Sequence, residues 1–575
     1  MLRLYKFLKP FTAMVIGVVI FVACQAIGDL YLPTLMSDII NDGVMQGDTS
    51  KIFHIGGVML LVALGGVICS VLASLLSSKS AAGLGEIIRS KVFRKVESFS
   101  LHEFDKIGTA TLITRTTNDI TQIQTVTVMI MRMMINAPIM CIGGIIMAYR
   151  KDGSLTWVLG VSIPALIIVI AILATRMMPL FKLVQVKIDR INLVLREKLT
   201  GIRVIRAFNT VDRETKRFNE ANVDLTENYI KVNKIMAFMM PSIMLIMNFT
   251  SLSILWFGGL RISEGSMDLG ALSAFTQYAM QIMFSMIMLA MMFIMVPRAQ
   301  AAAVRINEVL DTVPEITDKE TVREDFEGKG YVEFKDVSFS YHGAEEPALR
   351  NISFAAKPGE ITAIIGSTGS GKSTLINLIT RFYDVQSGNV LVDGVDVREI
   401  SQEALRSKIG FVPQKAVLFS GTIAENIKFG NDKATDEEIR HAAEVAQAAD
   451  FIATMDGGYD HEIAQGGTNV SGGQKQRLSI ARALVRRPEV YIFDDSFSAL
   501  DFKTDAKLRA ALKKETKEST VILVAQRVGT VMDADRIIVL DEGSVVGMGN
   551  HKELLQTCNV YREIVSSQLS EEELA

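Results

Sequence analysis

The run Gly366-Ser367-Thr368-Gly369-Ser370-Gly371-Lys372-Ser373 places glycines, one lysine and one hydroxyl in the order G-x-x-x-x-G-K-[ST]. An apolar stretch, Ile361–Ile365, precedes it, and Thr374–Thr380 reads as a helix. Strand, loop and helix in that order make a phosphate cradle. Glycines let backbone N–H groups approach a phosphate, and the helix N-terminus favours its charge. Lys372 is expected to reach β- and γ-phosphates, Ser373 to ligate Mg²⁺, and Thr374 to complete the nucleotide-contacting set. Further along, Val490-Tyr491-Ile492-Phe493-Asp494 reads as a buried strand ending in a carboxylate, with Asp494 the expected partner of the Mg²⁺ shell.

These groups need an α/β scaffold. From Tyr331 to the end, short β-rich runs alternate with helical patterns and turn signals, which predicts one nucleotide-binding domain over 331–575. The polar stretch Asp311–Gly330, carrying Pro314, reads as a linker. Residues 1–310 differ in kind. Six apolar windows, Phe11–Leu32, Ile52–Ser77, Val126–Tyr149, Leu155–Thr175, Ile235–Leu260 and Leu272–Val296, each suffice to cross a bilayer, which takes about 20 residues of helix. The first is too long for the apolar region of a cleaved signal peptide. Arg3, Lys6 and Lys9 precede the first window, whereas Asp38, Asp42 and Asp48 follow it. The positive-inside rule then predicts six crossings with both ends cytoplasmic. The long connections Lys79–Gln124 and Arg176–Lys234 read as spans continuing helically into the cytoplasm, turning at Thr114–Gln124 and Arg203–Asn209. In the second connection Ile191, Leu195, Leu199, Ile202, Ile205 and Phe208 recur at helical spacing.

The balance of charge excludes some classes. The 575-residue chain carries a formal charge of −3, so no basic excess points to nucleic acid. Its 49% apolar content argues against disorder. Cys24, Cys69, Cys141 and Cys558 form no C-x-x-C pair and read as small apolar fillers. Few polar residues interrupt the windows: Asp29, Arg132, Asn136, Asn248, Gln277 and Gln281. They are expected either to line a cavity or to bond between helices or snorkel near a span end, the latter reading being preferred for Asp29. Residues 235–296 hold 13 of the 29 methionines, and flexible thioethers suit surfaces that accept varied apolar ligands as well as ordinary packing.

The segment Val470-Ser471-Gly472-Gly473-Gln474, six spans and one phosphate-loop domain together resemble a half-transporter of the ATP-binding cassette exporter family, over essentially the whole chain. The family signature is L-S-G-G-Q, so Ser471 to Gln474 match and Val470 departs mildly. By this resemblance Tyr341 stacks on adenine, Gln414 links Mg²⁺ to the membrane helices, and Ser498-Ala499-Leu500-Asp501 crosses a dimer interface. The resemblance implies two cassettes dimerising head to tail, each ATP lying between one chain's phosphate loop and the other's signature. Closure and hydrolysis then drive the spans between inward and outward access.

Two residues depart from that pattern. The family places Glu after the strand-terminal Asp to polarise the attacking water, and this chain has Asp495. The family places His after the following strand, and here Thr520–Ala525 is followed by Gln526. A carboxylate misplaced by about 1 Å can cost ~10²-fold in rate, and Gln lacks the imidazole's charge. The expectation is a site that binds ATP and hydrolyses it poorly, in a heterodimer whose partner half-transporter supplies catalytic Glu and His. Multidrug-type export of hydrophobic or amphipathic compounds across a bacterial plasma membrane is the leading expectation. A lipid or peptide exporter and a slow homodimeric exporter are the alternatives. A nucleotide-gated channel or an ATP-dependent scaffold would share the motifs without substrate flux, whereas an importer normally carries spans and cassette on separate chains.

Overall fold

The computed structural model describes residues 1–319, 322–323 and 327–568. The chain forms two units: Met1–Ser98 with Ile107–Thr312, and Phe99–Lys106 with Val313–Ala575.

The first unit is helical. Among the described residues six helical segments are long and apolar enough to cross a membrane: Leu2–Val44, Thr49–Glu97, Thr109–Lys151, Trp157–Thr200, Val211–Ser263 and Leu269–Asp311. The 53 residues of Val211–Ser263 span roughly 80 Å at 1.5 Å per residue, far beyond the ~30 Å hydrocarbon core. Leu60, Leu61, Leu64, Val67, Ile68, Val71 and Leu75 stand exposed on the second segment, as a lipid-facing helix requires. Near the ends of the extensions Arg305 holds Asp119 bidentately through Nε at 2.7 Å and Nη2 at 2.5 Å, and partway along the second connection Lys187 holds Asp224 at 2.6 Å. At the opposite end Arg261 meets the buried Asp152 at 2.8 Å. Within the spans Gln281 donates to the Asp29 carbonyl at 3.1 Å and Arg132 to Ser74 Oγ at 3.4 Å. These two polar residues bond between helices. Cys558 is buried in a core cluster and Cys141 packs partly buried against another, whereas Cys24 is exposed.

The two turning points differ from each other. Ile202–Ala207 forms a short helix at the second, matching Arg203–Asn209. The first reversal lies earlier than Thr114–Gln124. The chain leaves its helix at Glu97, makes two short helices, Leu101–Ile107 and Thr109–Thr116, and is already in the returning helix from Asn118. Gly108, at φ +81, makes the break between the short helices, a conformation glycine adopts without strain. The apolar face on the second connection is largely uncovered within this chain: Leu195, Leu199 and Phe208 are exposed and Ile205 is buried.

The second unit is an α/β domain with two main sheets. A six-stranded sheet runs Ser544–Gly549, Arg536–Asp541, Ile361–Gly366, Thr520–Val524, Val490–Asp494, Ile409–Val412. All neighbours are parallel except the first pair. Every residue of Val490–Asp494 and Thr520–Val524 is buried, the pattern of central parallel strands covered on both faces. In register, Val524 pairs with both Asp494 and Ile364, so the phosphate loop, Asp494 and the segment after Val524 leave the sheet at one edge. An antiparallel sheet, Leu349–Ala356, Val332–Phe339, Ser387–Val392 and Val395–Asp396, covers a flank. The segment expected as a linker lies partly outside the described residues. Where described, it is tied down by Arg381, 1% exposed, which donates to Asp318 at 3.1 Å and to the Thr317 carbonyl at 3.3 Å.

Candidate functional site

The phosphate loop is shaped by its glycines. Gly369 and Gly371 take φ +89 and +97. A Cβ on Gly371 would meet the Ala348 carbonyl at 2.8 Å and Leu349 Cδ2 at 2.7 Å, so any side chain there would force the loop off the flanking strand. Lys372 opens the helix Lys372–Ile379 and is buried. Its ammonium donates to the loop carbonyls of Gly366 at 2.8 Å and Ser367 at 2.7 Å. Burial pulls its pKa below the usual lysine value, opposed by the charges of Asp495 and Asp494. Ser373 Oγ donates to Asp494 Oδ1 at 3.3 Å. Burial raises the Asp494 carboxyl above its ordinary range; the Ser373 bond opposes it, the Asp495 charge adds to it, and Lys372 opposes it.

Asp495 sits at φ +45 on the turn leaving the strand. Its N–H donates to the Val524 carbonyl at 2.9 Å, and its own carbonyl accepts from Ser498 Oγ at 2.9 Å. The buried carboxylate accepts from Gln414 Nε2 at 3.2 Å. Five predicted residues, Lys372, Ser373, Gln414, Asp494 and Asp495, therefore form one connected cluster. Tyr341 joins the phosphate helix separately, its hydroxyl 2.9 Å from Thr374 Oγ1. Its ring meets Phe339 and Tyr383 edge-on at 5.1 and 5.4 Å and remains 39% exposed. An exposed aromatic ring held in one orientation is a stacking platform for a flat base.

Gln526 is exposed, and among the described residues no hydrogen bond of its side chain is seen. Its backbone is held instead. The signature residues make a reciprocal cap: Gln474 N–H donates to Ser471 Oγ at 3.3 Å, and Ser471 N–H to Gln474 Oε1 at 2.8 Å. That cap starts the helix Gly472–Leu484. A Cβ on Gly473 would sit 3.1 Å from the Ala499 carbonyl, whereas one on Gly472 would meet nothing within 4 Å. Among the described residues no hydrogen bond joins Ser471–Gln474 to Gly366–Thr374. Val470 is 8% exposed and belongs to the core.

Three residues that hold site segments carry no sequence signal. Gln386 accepts from Ser340 N–H at 2.5 Å and donates to the Ser340 carbonyl at 2.7 Å, fixing the residue before Tyr341. Arg527 donates to the Ser498 carbonyl at 3.0 Å. Gln568 bonds the backbone of Gln526 and Val528. Each reaches across a sequence separation that no local pattern reports.

Comparison with known proteins bears on this arrangement. Residues 15–286 match the ABC transporter transmembrane region, and residues 349–498 match the ABC transporter family. An uncharacterized ABC transporter ATP-binding protein of Mycobacterium tuberculosis is 43% identical over 98% of this chain and 97% of its own. A fatty acid ABC transporter ATP-binding/permease protein of Mycobacterium bovis is 33% identical over 83% of this chain and 75% of its own. The structure of a bacterial Atm1-family ABC exporter with ATP bound superposes with a TM-score of 0.81 at 26% identity, covering 97% of this chain and 99% of that one.

Proposed function

The chain belongs to the ABC exporter family, as a half-transporter with membrane region and cassette fused, and on that premise we propose that its own nucleotide site holds ATP and hydrolyses it slowly while a partner half-transporter supplies the fast site. As a family member it is an ATPase-coupled, multi-pass membrane transporter, and its bacterial relatives place it in the plasma membrane.

The observation that carries the proposal is the state of Asp495 and Gln526 in an otherwise complete cassette. The shorter carboxylate of Asp495 is buried and engaged by Gln414, which leaves it poorly disposed to orient an attacking water. Gln526 has no ring to bring to a γ-phosphate. Ser373, Asp494 and Gln414 are oxygen donors suited to Mg²⁺, and Ser373 Oγ already lies 3.3 Å from Asp494 Oδ1. The ion would neutralise phosphate charge there. The chain's own contribution is to hold the phosphates with Lys372 and the loop N–H groups, and the base against Tyr341.

Two features support a second chain. The signature is intact yet makes no bond to this chain's phosphate loop among the described residues. Apolar Leu195, Leu199 and Phe208 stand exposed on a charge-rich connection outside the apolar windows, where uncovered apolar surface marks an interaction face. We propose hydrophobic or amphipathic cargo, for which multidrug-type compounds remain the lead. The fatty acid transporter among the relatives brings acyl-chain amphipaths in as the second reading.

The test is a pair of substitutions in the purified transporter. Asp495→Asn is expected to lower steady-state ATPase less than about threefold, whereas Glu→Gln at the corresponding position of the partner lowers it ~10²-fold or more, as loss of a catalytic base does. Collapse of activity on Asp495→Asn, in protein shown to contain this chain alone, would overturn the heterodimer.

A further inference from the structure

We propose that Gln568 is a positioning residue for the segment Gln526–Val528, so that the C-terminal helix sets how long this chain's site retains ATP. The inference rests on the reading of Gln526 as the residue facing the γ-phosphate.

The geometry is a two-point clamp. The strand Thr520–Val524 ends at Ala525, whose N–H still donates to the Ile364 carbonyl at 3.2 Å. Beyond it the chain leaves the sheet. Gln568 Nε2 donates to the Gln526 carbonyl at 2.8 Å, and Gln568 Oε1 accepts from Val528 N–H at 2.8 Å. A carboxamide is the side chain that offers a donor and an acceptor side by side, and here it satisfies the Gln526 carbonyl and the Val528 N–H together. On the other side Arg527 donates to the Ser498 carbonyl at 3.0 Å, and its guanidinium lies 5.7 Å from the Phe502 ring centre. The segment is thus strung between the C-terminal helix and the Ser498–Asp501 loop.

The helix preceding Gln568 is anchored in a core cluster. Gln568 follows the helix Asn559–Ser566, whose Tyr561 and Val565 are fully buried in one cluster with Val528, Val531 and Leu554. The Tyr561 hydroxyl lies 2.7 Å from His551 Nδ1. Gln568 itself is exposed, so its two bonds compete with water and each shifts an equilibrium modestly. That is the setting for local opening of a short segment while the core stays closed. Clamped, Gln526 is held two residues beyond Val524, the strand residue in register with Asp494; released, it is free to leave.

The experiment uses the full-length chain in its purified transporter, with the partner's phosphate-loop lysine substituted so that only this chain's site binds ATP. Amide exchange at Val528 is followed without nucleotide, and dissociation of radiolabelled ATP is followed by rapid filtration. Gln568→Ala is expected to speed Val528 exchange roughly tenfold and to speed ATP release severalfold, with the thermal midpoint unchanged. Gln568→Glu keeps the acceptor for Val528 N–H and loses the donor to Gln526, and is expected to fall between the two. Unchanged Val528 exchange in Gln568→Ala overturns the clamp. Faster exchange with unchanged ATP release overturns its link to the nucleotide. The exchange readout, taken without nucleotide, does not depend on hydrolysis, so failure of the slow-site proposal is distinguishable from failure of the clamp.

Discussion

Gly472→Ala separates what this chain needs for folding from what the assembled transporter needs for turnover. Gly472 is the first residue of the signature helix, directly after the Ser471 cap. A Cβ there meets nothing within 4 Å, and the backbone does not require a positive φ. Alanine should therefore fit without strain, and replacing glycine at a compatible position stabilises by about 0.4–1 kcal/mol through the unfolded chain. For a cassette of this size that raises the thermal midpoint by roughly 1–4 °C. Turnover should move the other way. If the signature faces a partner's nucleotide, the added methyl stands where the backbone must approach phosphate, and a displacement of ~1 Å costs about 10²-fold in rate. The assay is steady-state ATPase on the purified transporter, with thermal unfolding of the same samples. Gly473→Ala is the contrasting variant, because its Cβ would sit 3.1 Å from the Ala499 carbonyl and should perturb the chain itself. Unchanged ATPase in Gly472→Ala would refute the head-to-tail reasoning, and a lowered midpoint would refute the claim that this chain leaves the position open.

Lys372→Ala removes the buried ammonium that faces the loop carbonyls. Nucleotide affinity at this chain's site should fall at least tenfold, read by ATP binding in a transporter whose partner site is disabled, because charge-assisted bonds to phosphate are the strong ones. Asp495→Glu with Gln526→His should raise hydrolysis at the same site about tenfold or more. Single-site turnover with the partner's catalytic Glu changed to Gln measures this, and no gain would show that some other group limits the site.

The features legible in the sequence are those whose physics is local. A phosphate loop is specified by glycines, lysine and hydroxyl within eight positions, because the backbone turn and the helix start that follow it are short-range. Gly371 shows why the spacing cannot drift: its φ of +97 and its closeness to Ala348 admit no side chain. The spans are legible because apolar length alone meets the bilayer's requirement. Asp494 is legible as the polar end of an all-buried strand.

Tertiary structure decided where distant segments meet. The first reversal begins where the helix stops at Glu97, earlier than Thr114–Gln124, because helix-forming residues continue on both sides and hide the stop. Glu103 lies in the stretch that joins the second unit, where it accepts from Glu315 N–H at 3.1 Å, a contact no periodicity reports. The engagement of Asp495 by Gln414 follows from the pairing of Val412 with Phe493, which brings two strand ends together. Gln386 on Ser340 and Gln568 on Gln526 bridge 46 and 42 residues. A single carboxamide far along the chain looks like any surface glutamine until the sheet register has placed its target, because the free energy that selects its role arises only from the fold that brings donor and acceptor within reach.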